Sequence, residues 1–229
     1  MTQELINSPG FLPGHSTLGS DVSYFFAITF ASLFLYSGSL ASKGMGRKHH
    51  YMMLVSMVAM MLYFAFYYEV RKLGVISLVD QLGFRGPQFV YRYIFHPILF
   101  AHFIAVTVST FLAVYMIGNG FRTAVYDENR IMTLKSFDVV RSKVLWLAGF
   151  LWLGFLLWLL FSLSKLGVWH KLLLLSLGYF IPAGVALLIG KTLPDSGRRH
   201  RMLGKACLYS FAFLLVTSTL VYFLLYIAF

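Results

Sequence analysis

The chain has 229 residues, 59% of them hydrophobic and 18% aromatic, with only 12% charged and a formal net charge of +11. A water-soluble domain of this length carries about a quarter charged residues, so this composition excludes a soluble enzyme. The basic excess lies in short segments between long apolar runs, where multispan proteins set lysine and arginine against anionic lipid; that excludes nucleic acid as the partner and names the lipid bilayer instead.

In chain order, residues 1–20 come first as an outer N-terminal segment. It carries Glu4, no lysine or arginine, and no apolar core before a small-residue cleavage site. It therefore does not read as a signal peptide, and the first span is expected to act as the targeting signal. Six apolar runs follow: Asp21–Ala41, Tyr51–Tyr68, Tyr93–Ile117, Val144–Leu163, Leu172–Gly190 and Leu203–Phe229. Each is long enough to cross a ~30 Å hydrocarbon core, and only a helix satisfies its own backbone over such a run in lipid. Pro97 falls in the first turn of the third run, where its missing N–H costs little. Pro182, with Gly178 and Gly184 nearby, predicts a kink in the fifth.

Two connections exceed a turn. Residues 73–92 carry Val75, Ile76, Val79 and Leu82 at helical spacing before Gly83 and Gly86-Pro87, the pattern of an interfacial helix or of a loop. Residues 119–143 are polar and of mixed charge and read as a cytoplasmic linker. With the N-terminus outside, thirteen of the nineteen lysines and arginines fall on the inner side. The expectation is an all-α integral membrane protein of the cytoplasmic (inner) membrane, with about six transmembrane helices and both termini outside.

Cys207 is the only cysteine, so there is no disulfide framework, no redox C-x-x-C pair and no haem-attachment motif. No nucleophile–base pair, phosphate loop or H-E-x-x-H is present, and the chain is expected not to be an enzyme. Function must then rest on the few ionisable groups in or beside the spans, which are costly in lipid. Asp21 opens the first span, Glu69 closes the second, and His96 and His102 lie on the third. In the expected topology these share the outer half of the membrane with Tyr222 and Tyr226. Each also has an ordinary reading: Asp21 follows Gly19-Ser20 as a helix N-cap would, Glu69 can pair with Arg71 or Lys72, and the tyrosines suit the aromatic belt. His102 lies about 14 Å into its helix and needs a partner.

On the inner side, Lys48-His49-His50 opens the second span and Arg199-His200-Arg201 the last, so His49 or His50 could share a metal or haem with His200. The competing reading is a basic interfacial cluster facing anionic lipid. His15 and His170 read as loop residues. Met53, Met57, Met60 and Met61 share one face of the second span; such thioethers either pack or bind Cu(I).

The segment Arg47-Lys48-His49-His50-Tyr51-Met52-Met53 running to Phe66-Tyr67-Tyr68-Glu69, His102 within Leu99-Phe100-Ala101-His102-Phe103, and Arg199-His200-Arg201-Met202-Leu203-Gly204-Lys205 running to Thr217 and Val221-Tyr222-Phe223-Leu224-Leu225-Tyr226 together resemble the family filed as domain of unknown function 420. Gly10-Phe11-Leu12 followed by Asp21 resembles the opening of some members. The resemblance covers residues 10–118 and 196–229, and departs from the family at Ser218, where glycine is usual, and in the extra hairpin 144–190. It implies a four-helix core bundle from spans one, two, three and six, plus the inserted helical hairpin. It also implies a role beside haem–copper terminal oxidases, in their assembly or in metal supply, as the family includes oxidase maturation factors.

The leading expectation is a non-enzymatic membrane factor in oxidase biogenesis, using His49, His102, His200 and Glu69 to hold copper or haem transiently. The alternatives are a b-type haem electron carrier and a ligand-free accessory subunit of a membrane complex. In the haem reading, the inner histidines are the axial candidates, because His96 and His102 lie on one helix about 120° apart and cannot sandwich an iron.

Overall fold

A computed structural model describes residues 7–72, 84–126, 132–135, 149–150, 153–154, 157–158 and 167–229, without the side chains of 68–72, 174, 175, 179 and 182. Five helices in it are long and apolar enough to cross a membrane: α1 (Leu18–Ser42), α2 (Gly46–Lys72), α3 (Gln88–Thr123), α4 (Val168–Thr192) and α5 (Ser196–Tyr226). They correspond to five of the six predicted runs. Most of the remaining run, Val144–Leu163, and most of the 73–92 connection lie outside the described residues.

The helices start earlier than hydropathy alone suggests, because polar residues supply the first turns. α1 begins with a capping box in which Ser20 N–H donates to Thr17 Oγ1 at 3.3 Å and Thr17 N–H donates to Ser20 Oγ at 2.9 Å. The N-cap is therefore Thr17 and not Asp21, which falls at the fourth helical position. α3 starts at Gln88 and passes through a π turn at Tyr91–Phe95, where His96 N–H bonds to the Tyr91 carbonyl. Pro97 thus lies well inside the helix and not at its entrance. A straight α register would bring its ring against the Tyr93 carbonyl; the wider turn immediately before it accommodates the defect. α4 is continuous across residue 182, whose side chain is not described.

The predicted linker 119–143 contains a short antiparallel strand pair, β1 (Ala124–Tyr126) with β2 (Met132–Leu134), pairing Val125 with Thr133. Its β-branched residues suit a strand. The chain divides into two compact units, residues 1–109 with 207–229, and residues 110–206.

In the first unit, α1 packs on α2 across the tight turn at Lys43–Met45, where Gly44 has φ +74. α1 meets α5 through Phe34 and Phe211, both almost fully buried with ring centroids 4.0 Å apart, and Gly38 leaves room for Leu208. α3 meets α5 through Ser109 and Ser210, whose hydroxyls lie 2.6 Å apart. Small polar residues at such crossings let helices approach and hydrogen-bond within lipid. A second cluster of Phe84, Phe95, Val221 and Leu225 fills the end where α3 begins and α5 finishes. The large exposed residues, among them Phe25, Leu62, Phe66, Phe100 and Phe213, give the helices apolar outer faces fit for acyl chains.

In the second unit, Arg199 is not a surface cation. It is buried, donating through Nη1 to the Leu193 carbonyl at 3.0 Å and through Nη2 to Asn119 Oδ1 at 3.4 Å. Asn119 donates in turn to the Ser196 carbonyl, and Thr123 Oγ1 bonds back to the Asn119 carbonyl. α4 presents Trp169, Leu173, Phe180, Ile181 and Leu187 as exposed side chains.

Candidate functional site

The residues predicted at the outer level are gathered by the N-terminal segment as well as by the helices. Residues 7–17 fold back over the start of α1, with a bridge between Pro9 and Thr17 and a bond from Leu18 N–H to the Ser8 carbonyl. His15 N–H donates to the Tyr226 carbonyl of α5 at 2.8 Å. Gly14, at φ +113, lies where any Cβ would strike that same carbonyl. Leu12 N–H donates to Asp21 Oδ2 at 2.7 Å, and the Tyr222 hydroxyl donates to Asp21 Oδ1. Asp21 is 0% exposed. A carboxylate so enclosed is tolerable only because donors from two segments meet it. Gly10 is pressed against Asp21 and Ser16, with no space for a side chain.

Tyr222 is correspondingly no belt residue. It is buried, its hydroxyl is spent on Asp21, and its ring stacks on Tyr24 at 4.1 Å and 13°. Tyr24 reaches Thr219 of α5 at 3.2 Å, and Ser23 pairs with Tyr63 of α2 at 2.7 Å.

Beneath this latch lies a cavity of about 250 Å³ within the first unit. Its wall is mostly apolar and includes His102, Met60, Tyr24, Tyr63, Tyr67 and Tyr222. His102 Nδ1 lies 3.1 Å from Thr217 Oγ1. The Thr217 hydroxyl points its one proton at the Phe213 and Leu214 carbonyls, at 3.0 and 3.1 Å. With that proton on a carbonyl, the oxygen accepts from His102 Nδ1–H and Nε2 holds the lone pair; in the opposite tautomer the roles reverse. Among the described residues Nε2 has no hydrogen-bond partner. This is how ligating histidines are oriented, with one ring nitrogen anchored and the other available.

The predicted outer cluster is thus only partly assembled. Asp21 and Tyr222 bond directly, and Tyr222 and His102 line one cavity. His96 is exposed, 6.2 Å from the Tyr91 ring, and is not part of the cavity wall. The Glu69 side chain lies outside the described residues. Of the residues predicted for the inner side, His49 has its Nδ1 2.8 Å from the Ser37 carbonyl, which can only accept, so that nitrogen carries the proton. The Ser37 hydroxyl donates to the His49 carbonyl at 2.9 Å. His49 and His50 belong to the first unit and the half-buried His200 to the second. Met57 and Met60 of the methionine face are buried, Met53 is half-buried and Met61 exposed. His15 is an exposed loop residue.

Among the described residues no group of three or more His, Cys, Asp or Glu side chains converges as a metal site. Thr217 entered the sequence reading only inside the family resemblance; its spacing of 115 residues from His102 carries no local signal. No family model matches the chain, and no curated protein and no solved structure matches it either.

Proposed function

We propose that the chain is a non-enzymatic membrane factor in the biogenesis of haem–copper terminal oxidases, holding a small cargo at the His102 cavity. The observation that carries the site is the anchored imidazole: His102 lines a cavity in the apolar part of the chain, and its Nδ1 is held 3.1 Å from Thr217 Oγ1. The other ring nitrogen of His102 has no hydrogen-bond partner among the described residues, which leaves it available to a ligand. The oxidase context comes from the family resemblance of the segments holding His49, His102, His200 and Thr217.

In this reading α1, α2, α3 and α5 form the core bundle. Residues 144–190 form an added hairpin, which brings the count to six crossings of the cytoplasmic membrane with both termini outside. The Asp21–Tyr222 latch closes the outer end of the bundle. The cavity is smaller than the ~300 Å³ at which pockets for drug-sized ligands begin, which favours a metal ion over a whole haem as the cargo there. His49, His50, His200 and Glu69 remain candidates for receiving or passing on that cargo.

Deleting the gene should lower the amount of assembled terminal oxidase, read from membrane redox spectra and oxygen consumption. Normal spectra and activity in the deletion strain would refute the role. The ultraviolet–visible spectrum and the copper and iron content of the purified protein test the cargo. A Soret band with stoichiometric iron would transfer the function to the inner histidines and make the chain a haem carrier.

A further inference from the structure

The connection between α1 and α2 concentrates charge of one sign. Between Asp21 and Glu69 the chain has no acidic residue, and its only lysines and arginines there are Lys43, Arg47 and Lys48. All three are exposed, on either side of the tight turn in which Gly44 has φ +74. His49, next in the chain, is half-buried and engaged by Ser37 instead. Arg47 and Lys48 also stand in the first turn of α2, which holds no acidic residue. The helix field opposes cations at that end, and like charges so close in sequence repel one another. Anions at the turn relieve both.

The exposed side chains beyond the turn come in layers. Tyr36 stands six residues before the end of α1 and Tyr51 five after the start of α2, so both lie roughly 8–9 Å from the turn at 1.5 Å per residue. Deeper along α2, Val58 and Leu62 are exposed. Cations outermost, tyrosines next and aliphatic side chains below follow the order of phosphate, glycerol ester and acyl chain in a phospholipid leaflet. A soluble anion would use the first layer alone.

We propose that this end of the α1–α2 hairpin is a docking surface for anionic phospholipid, with Lys43, Arg47 and Lys48 meeting the headgroup phosphates and Tyr36 and Tyr51 at the glycerol level. The surface is independent of the His102 cavity and of the oxidase reading.

The test is a titration of the delipidated full-length protein, in uncharged detergent, with phosphatidylglycerol or phosphatidylcholine, reading bound lipid by native mass spectrometry. Phosphatidylglycerol should be retained and phosphatidylcholine lost. A cation near an anionic headgroup is worth about five-fold in affinity, so the triple variant Lys43→Gln, Arg47→Gln, Lys48→Gln should weaken phosphatidylglycerol binding on the order of 100-fold. The charge-conserving variant Lys43→Arg, Arg47→Lys, Lys48→Arg should retain it. The triple variant Arg198→Gln, Arg201→Gln, Lys205→Gln, which removes the same charge at other exposed positions, should stay close to the parent. Circular dichroism confirms that each variant keeps its helices. Equal binding of the two lipids, equal loss in the two glutamine variants, or displacement of the lipid by inorganic phosphate at equal concentration would overturn the assignment.

Discussion

Replacing Tyr222 by phenylalanine tests the latch where α1 begins and α5 ends in the first unit. The ring, its burial and its stack on Tyr24 at 4.1 Å persist in the variant, so the change isolates one hydroxyl. That hydroxyl donates to a carboxylate that is 0% exposed, which also accepts from Leu12 N–H, 2.7 Å away, and from Ser16 and the Phe11 backbone. A hydrogen bond to a charged group contributes about 1.5–3 kcal/mol, and an enclosed carboxylate recovers none of it from water. In a chain of this length 1 kcal/mol moves the melting temperature by about 2–4 °C, so Tyr222→Phe should melt roughly 3–12 °C below the parent in detergent. Tyr24→Phe is the control, because it removes a hydroxyl bonded to Thr219 at an exposed position and should cost less than about 0.5 kcal/mol. The latch also holds residues 7–17, so limited proteolysis should cut that segment faster in Tyr222→Phe. Melting and proteolysis indistinguishable from Tyr24→Phe would refute the claim that Asp21 depends on Tyr222.

Gly10→Ala drives a Cβ into Asp21 and Ser16, and Gly14→Ala adds unfavourable φ to a collision with the Tyr226 carbonyl. Each should destabilise by about 1–3 kcal/mol and expose the N-terminal segment to protease; parent-like resistance would show that the segment is not seated as described. Arg199→Ala should destabilise by about 1–3 kcal/mol by stripping donors from the Leu193 carbonyl and Asn119, whereas the exposed Arg198→Ala should stay within about 0.5 kcal/mol. Equal melting of the two variants would return Arg199 to the role of an interfacial cation. Phe34→Ala removes a ring that is 2% exposed and packed on Phe211, and thermal unfolding should register about 3–5 kcal/mol; a loss below 1 kcal/mol, roughly, would mean the α1–α5 crossing does not depend on it.

Five of the predicted spans were legible because hydropathy sums over many residues and tolerates errors at individual positions. Their ends were less so. Asp21 after Gly19-Ser20 satisfies the rules for an N-cap, yet Thr17 takes that place because the preceding ten residues fold back on the helix. Pro97 was misplaced for a related reason: the π turn that accommodates it extends the helix through residues whose own composition is aromatic and mixed. The site was half readable. His102 is conspicuous on its own, as an imidazole deep in an apolar run. Its anchor is not, because a threonine on another helix 115 residues away is one of many. Arg199 sits in a basic run with Arg198 and Arg201, and nothing in the order of residues separates the inward guanidinium from its exposed neighbours. The short strand pair of β1 and β2 lies in a stretch where polarity and mixed charge masked three-residue strands.

The bond between Asp21 and Tyr222 joins residues 201 positions apart. Loops of that length close slowly, and their contacts reward the chain only after everything between has been placed. During synthesis Asp21 enters the membrane region at the head of the first helix, long before the phenol that will neutralise its isolation has been made. Until α5 arrives, the carboxylate must borrow water or lipid headgroups at the surface, which ties α1 to the interface. The latch thereby records assembly: when it forms, the last helix has docked against the first, and the N-terminal segment closes over a carboxylate no longer reachable from outside.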